Sequence, residues 1–304
     1  MIGVAILDAT GSLSASDVEL ARYLSHEMEE IDIYSNSWGP GQAYGYFLVS
    51  EVLEEAFKNG VTNGRNGKGN IYVFAAGNYR DNTNSNGLLT SPYTISVSAV
   101  AKRGMSASFR SVGSSIMTVA YGEGEGSTNG IVRFVVPIPY SNCIDGAEGT
   151  SFSCPTVSGA IALCLEINPN LTWRSIQHLL VKTSKKHNFA DSDSDYQWQE
   201  NGAKLQTHPT MGFGLLDVGD MVQKAEKFPV LPSLETCTIK RQKRIRTKRG
   251  GSKSDILNVL CIGQETNCGT IRYLESVLVT ISFRFTVTLN EWSLTLYGTK
   301  TSPQ

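Results

Sequence analysis

GAEGTSFSCPTVSGAIALC, residues 146–164, is the stretch on which the fold turns. A small-residue turn, Gly149-Thr150-Ser151, runs into Pro155 and then into an apolar segment. Val157, Ala160, Ile161, Cys164 and Leu165 fall at i, i+3, i+4, i+7 and i+8, which makes one buried helical stripe. Pro155 is expected in the first turn of that helix, where a missing N–H costs nothing. A helix start of this kind points backbone N–H groups at a reacting carbonyl, and a glycine just before it leaves room for substrate. Ser151 is therefore a candidate nucleophile. An ordinary N-cap turn is the competing reading of the same three residues.

Outward from this helix, short apolar runs alternate with helical ones. IGVAIL (2–7), IDIYSNSW (31–38), IYVFAAG (71–77) and TISVSAV (94–100) read as strands covered on both faces. Between them, residues 17–29 read as a helix with Ser16 as N-cap. From Phe47 to Asn59 the residues Leu48, Val49, Val52, Leu53, Ala56 and Phe57 keep helical spacing. A later helix is expected from Thr172 to about Lys182, with Trp173, Ile176, Leu179 and Leu180 inward, and GFGLLDV (212–218) reads as a closing turn. Alternating strands and helices are the pattern of a parallel α/β sheet.

The character changes after Lys227. SVLVTISFRFTVTL (276–289) and EWSLTLYGT (291–299) alternate with period two, which predicts antiparallel strands and a small β domain. The boundary falls between Phe228 and Leu234, marked by Pro229 and Pro232. The expected organisation is thus residues 1–228 and residues 234–304.

With 304 residues, 40% of them hydrophobic, and a net charge of −1, the chain has enough apolar surface for one large core and a smaller one. That composition argues against disorder and against a general nucleic-acid binder. No run is expected to reach the roughly 18 apolar residues of a membrane span. The opening MIGVAILDATG has neither a basic region nor a small-residue cleavage site, and it starts directly with a strand, as if an N-terminal piece preceded it. The cysteines at 143, 154, 164, 237, 261 and 268 show no metal-ligand spacing. Cys164 is expected to be a buried thiol; Cys237 and Cys261 bracket a polar stretch and are candidates for a disulfide. KRQKRIRTKR (240–249) reads as a solvated basic loop, a nucleic-acid, heparin or nuclear-import segment, or a processing target, ADSDSDY (190–196) as a solvated loop, and Asn170-Leu171-Thr172 as a glycosylation sequon or a helix cap.

GTSFSCPTVSGAIALCLEINPNLTWRSIQHLLVKTS (149–184) resembles the nucleophile helix and following helix of subtilisin-fold serine proteases, and among them the kexin/furin group, the proprotein convertases. IYSNSWGP (33–40) and GRNGKGNIYVFAAGN (64–78) resemble two further blocks of that group in the same order. The resemblance covers roughly residues 2–228. It implies a subtilisin-like parallel sheet with flanking helices, followed by a shortened antiparallel β-sandwich like the group's P domain.

It further implies that Ser151 attacks a peptide carbonyl, with Asn78 and the Ser151 backbone N–H as oxyanion donors. Ser35, Asn36, Ser37, Trp38 and Gly39 would line the substrate channel and pair with the peptide backbone. Cys237 and Cys261 would form the sandwich's disulfide. Substrates would be proproteins in the secretory pathway.

The likeness also shows gaps. The group's triad needs an Asp and an HGT histidine upstream of SWGP, and no HGT occurs. His26 lies within polar YLSHEMEE and reads as a solvated residue, whereas His178, His187 and His208 follow the nucleophile. Asp8, in VAILDATG, imitates the triad Asp, but its segment resembles the strand that follows the catalytic His, so it is expected to be non-catalytic. Cys143 matches a cysteine whose partner lies upstream. GQAYGYF after SWGP has no acid, YRDNTNSNGLL keeps only Asp81, and ASFRSVGSS (107–115) has none. Calcium, which the group holds beneath its primary pocket, is thus implied by resemblance while its carboxylates are mostly missing, and a preference for basic residues is in doubt. The expectation is a serine endopeptidase by family with little turnover in this chain, set against a non-catalytic, peptide-binding remnant.

Overall fold

The structure is a computed structural model, and it describes residues 3–4, 6, 14–40, 47–123, 148–186, 196–232 and 234. Its elements belong to the first of two compact units, which runs to Leu231. The expected β domain, the Cys237–Cys261 pair, Cys143, Asp8, His187 and both charged stretches lie outside the described residues, as does half of IGVAIL.

Helix α1 (Asp17–Leu24) starts with a capping box: Ser16 Oγ accepts from the Glu19 N–H, and the Glu19 carboxylate accepts from the Ser16 N–H. It ends at Leu24, short of the expected residue 29, because Glu27, Glu29 and Glu30 would place negative charge at the negative end of the helix dipole. Strand β1 (Ile33–Asn36) follows, then α2 (Glu51–Asn63), capped by Ser50. Phe47 and Leu48 precede α2: Phe47 bridges to Asn86, and Leu48 is 78% exposed. After β2 (Ile71–Ala75) come the short α3 (Gly87–Thr90), β3 (Thr94–Ala101) and β4 (Ile116–Glu123). Then α4 (Thr150–Ile167), α5 (Trp173–Thr183), the small pair β5 (Gln199–Glu200) and β6 (Gln206–Thr207), and α6 (Val218–Ala225) complete the order.

Strands β1 to β4 form one parallel sheet in the order β1-β2-β3-β4. The register pairs Ile33 with Ile71 and Asn36 with Phe74, so β2 runs one residue past the carboxyl end of β1. On one face Val73, Ile95, Val97 and Ala120 meet Val157, Ile161 and Cys164 of α4, Leu179 and Leu180 of α5, and Met221 of α6. On the other, Tyr34, Tyr72 and Phe74 meet Leu20, Leu24, Leu53 and Phe57. The phenols buried there find carbonyls: Tyr72 Oη donates to Leu24 O at 2.8 Å and Tyr34 Oη to His26 O at 2.6 Å. Burial pushes the Tyr34 hydroxyl up to about 12.

The helical stripe of 146–164 is therefore a core face. Helix α4 has 18 residues and a mean hydropathy of 1.3, long and apolar enough by length and composition alone to cross a membrane, a test that a core helix also passes. Half of it is buried against the sheet, as suits a core helix.

Candidate active site

The site forms where β1, β2 and α4 converge at the carboxyl edge of the sheet, the usual place for ligands in such sheets. Gly149 caps α4 with φ +137°, a conformation glycine adopts freely. Its N–H donates to Gly122 O at 2.8 Å, and the Phe152 N–H donates to Gly149 O at 3.1 Å. The Thr150 N–H donates to Asn78 Oδ1 at 2.9 Å, and the Thr150 hydroxyl donates to the same oxygen at 2.8 Å. The Ser151 N–H alone among these first residues has no partner within the described residues.

This arrangement orients Asn78. With Oδ1 committed to two donors, the amide nitrogen faces the other way. A methyl group built on Gly149 would lie 3.1 Å from Asn78 Nδ2 and 3.7 Å from Ser151 N. Two donors that have no partner among the described residues thus border one small space, and glycine keeps it open. Such a pair is what a developing oxyanion requires.

Pro155 is the sixth residue of α4 and not in its first turn. Lacking an N–H, it leaves the carbonyl of Ser151 without its helical donor. Ser37 Oγ fills the vacancy at 2.9 Å. In return Ser151 Oγ donates to Ser37 O, a long contact at 3.5 Å. The nucleophile candidate is therefore locked to the segment after β1, with its hydroxyl half-exposed.

The other residues of that segment divide by role. Asn36 is buried; its Nδ2 donates to Tyr34 O at 2.9 Å, and its Oδ1 accepts from Trp38 Nε1 at 3.0 Å. Trp38 sets its ring edge-on to Phe74 at 5.6 Å. Ser35 Oγ accepts from Ser158 Oγ at 3.0 Å, tying β1 to α4. Cys154 Sγ donates to Val73 O and Asn36 O behind them, and burial pushes its thiol up to about 11. The main-chain groups of Trp38 and Gly39 make no hydrogen bond within the described residues.

No imidazole hydrogen-bonds to Ser151 among the described residues. His26 is exposed on the turn after α1. His208 is buried against Trp198, with Nε2 at 3.3 Å from Tyr196 O and Nδ1 at 3.0 Å from Thr210 Oγ1. His178 lies on α5.

The turn bearing Asn78 is fastened to the segment 107–115. Arg80 Nε donates to Ser108 O at 2.6 Å, and the Val112 N–H donates to Asp81 O at 2.9 Å. Ser111, fully buried, donates to Asp81 Oδ1 at 2.5 Å. These donors do not fit the calcium that the resemblance implies. Calcium takes six to eight oxygens, several from carboxylates. Here Asp81 brings one carboxylate, Ser111 answers it with a neutral hydroxyl, and two guanidiniums, Arg80 and Arg110, already bond to the carbonyls of Ser108 and Ala107. Glu123 is taken up by the N–H and hydroxyl of Ser108. No cluster of three metal-ligating side chains occurs among the described residues.

A parallel sheet with a Gly-Thr-Ser turn at the start of the helix packed on it, and an asparagine amide beside that serine, is the framework of a subtilisin-like fold. Residues 1–214 match the family model Peptidase S8, the subtilase family, and the chain belongs to that family. It is 33% identical over 290 residues to proprotein convertase subtilisin/kexin type 5 of Rattus norvegicus, covering 92% of this chain and 15% of that protein. It is 37% identical over 250 residues to type 6 of Homo sapiens, covering 81% of this chain and 25% of that one. Furin-like protease 2 of Drosophila melanogaster is 34% identical over 296 residues, covering 93% of this chain and 17% of the relative. The chain thus spans between 15% and 25% of these relatives. The fold resembles the serine protease of Aeromonas sobria in its complex with a chaperone, with a TM-score of 0.60 at 21% identity over 75% of this chain and 48% of that one. The prenylagaramide maturation protease PagA gives a TM-score of 0.52 at 20% identity, over 70% and 69% of the two chains.

Ser111 and Gly122 are site residues that sequence reading does not single out, and the role of Thr150 as the partner of Asn78 is likewise missed. Their partners lie far away in sequence, 72 residues away for Thr150 and Asn78, so no local pattern announces them.

Proposed function

We propose that this chain is a serine endopeptidase of the proprotein convertase type, acting on polypeptides through an acyl-enzyme on Ser151. The observation that carries the reading is the fixed Asn78 amide, which leaves Nδ2 and the Ser151 N–H facing one space. Ser151 Oγ attacks the scissile carbonyl carbon, and the carbonyl oxygen gathers negative charge against those two donors. The main-chain groups of Trp38 and Gly39, which make no hydrogen bond among the described residues, pair with the substrate backbone in the manner of an added strand. The similar convertases support a polypeptide substrate and the secretory pathway, where the exposed Asn170 of the Asn170-Leu171-Thr172 sequon would be glycosylated.

The attacking hydroxyl must lose its proton, and the carbonyl of Ser37 cannot take it. The 304 residues by themselves are therefore proposed to turn over slowly, since losing triad members costs about 10⁴–10⁶ in rate. The same contact favours the second reading, a peptide-binding protein that does no chemistry.

Supplying a base from solution separates the two. In a fluorophosphonate reaction with added imidazole, Ser151 is expected to label in an imidazole-dependent manner. Ser151→Ala abolishes the label, and Asn78→Ala slows it by about 10²–10³. A folded chain that never labels at any imidazole concentration removes the acyl-transfer reading and leaves peptide binding.

A further inference from the structure

We infer that the turn carrying Asn78 is held by a direct hydrogen bond from Ser111 to Asp81 where the family resemblance implies a bound divalent cation, so that the oxyanion site of this chain is independent of such ions. The inference rests on the reading of Asn78 as an oxyanion donor for its functional meaning, and on the geometry of Ser111 and Asp81 for its substance.

Two straps lie side by side, residues 77–86 and 107–115. Near its start Ser111 Oγ reaches both ends of the Asn78 turn: it donates to Asp81 Oδ1 at 2.5 Å and lies 3.5 Å from Gly77 O. Backbone bonds continue the seam, with the Val112 N–H on Asp81 O and the Thr83 N–H on Val112 O, both 2.9 Å. Further along, the Ser114 N–H and hydroxyl both donate to Asn84 Oδ1 at 3.1 Å, and Ser115 Oγ donates to Thr83 Oγ1 at 2.8 Å. A methyl on Gly113 would strike Thr83 Oγ1 at 2.0 Å, so the straps are in direct contact.

A cation joins two strands of chain by being the common partner of acceptors on both. Here the second strap presents a donor instead. A hydroxyl and a carboxylate satisfy each other without a third body, and a charge-assisted bond to a buried partner is among the stronger kinds. The positive charge that a cation would add is already present in Arg80, whose Nε bonds Ser108 O in the same seam.

Hydrogen exchange across residues 77–86 of the full chain tests this. Wild-type protection is expected to be the same in EDTA and in millimolar calcium. Ser111→Ala is expected to exchange faster by about tenfold, the factor one ordinary hydrogen bond represents. Ser111→Thr restores protection. Asp81→Asn retains it in both media, because an amide oxygen still accepts from Ser111 while a cation site would lose its carboxylate. Faster exchange of the wild type in EDTA, slower exchange in calcium, or an unchanged rate in Ser111→Ala overturns the inference. If Ser111→Ala does not fold, the wild type and Asp81→Asn in the two media still decide it. Imidazole-assisted labelling of Ser151 is likewise expected to ignore EDTA. A chain that never labels defeats the proposed function and leaves the exchange result standing.

Discussion

Asn78 Oδ1 accepts two hydrogen bonds from Thr150, one from its N–H and one from its hydroxyl, across 72 residues of sequence. Thr150 is fully buried, so this anchor does not compete with water. An amide whose oxygen is pinned has its nitrogen aimed, and it needs no reorganisation when charge develops in front of it.

Gly149 is the most sensitive position next to that amide. Gly149→Ala puts a methyl between Asn78 Nδ2 and Ser151 N, on a backbone at φ +137° that an L side chain rarely adopts. The expected outcome is loss of imidazole-assisted labelling together with a destabilisation of about 1–3 kcal/mol. Thermal melting beside the labelling assay checks both; an alanine variant that labels normally would place the oxyanion elsewhere.

Stability should fall on mild acidification because of His178. Burial first, then the neighbouring Arg174 and Lys182, hold its imidazole below the ordinary 6.5. The unfolded chain therefore binds the proton more readily than the folded one. Its contribution is fully present above about 6.5 and is lost as pH falls through the window down to the lowered folded value. Urea unfolding between pH 5 and 7.5 is expected to show this slope, and His178→Gln to flatten it.

Arg65 locks the approach to β2. Its side chain is 4% exposed, and Nη1 donates to Gly69 O and Leu171 O, both at 3.1 Å, while Nε meets Asp32 at 2.6 Å. Arg65→Met strands two carbonyls and is expected to cost roughly 2–4 kcal/mol. Asp32 is 61% exposed, so Asp32→Asn should cost less than about 1 kcal/mol. Denaturant midpoints of the two variants give the comparison; equal losses would show that the ion pair dominates and the carbonyls do not.

Much of the fold was legible because it rests on local periodicity. The strands near 33–36, 71–75 and 94–101 and the stripe on α4 all lie where their apolar spacing predicts. Strand β4 was not, since IMTVAYGE carries a polar threonine and a glycine where a continuous apolar run would announce a core strand. Leu48 and Val49 keep helical spacing with Val52 yet stay outside α2, because Ser50 caps the helix after them and the Phe47 N–H just before them pairs with Ser85 O. Periodicity reports which face is apolar; it is blind to a cap that starts the helix later.

Residue order alone carries the family resemblance, the parallel sheet, Ser151 at a glycine-led helix start, and Asn78 just past a strand. Those are short-range facts, written in residue type and spacing. That Thr150 aims Asn78, that Ser37 takes the carbonyl Pro155 leaves open, and that Ser111 meets Asp81 follow from packing. Each of these is a hydrogen bond between elements 30 or more residues apart. Hydrogen bonds need a donor and an acceptor within about 3 Å at the right angle, and only the packed sheet and helix bring them that close.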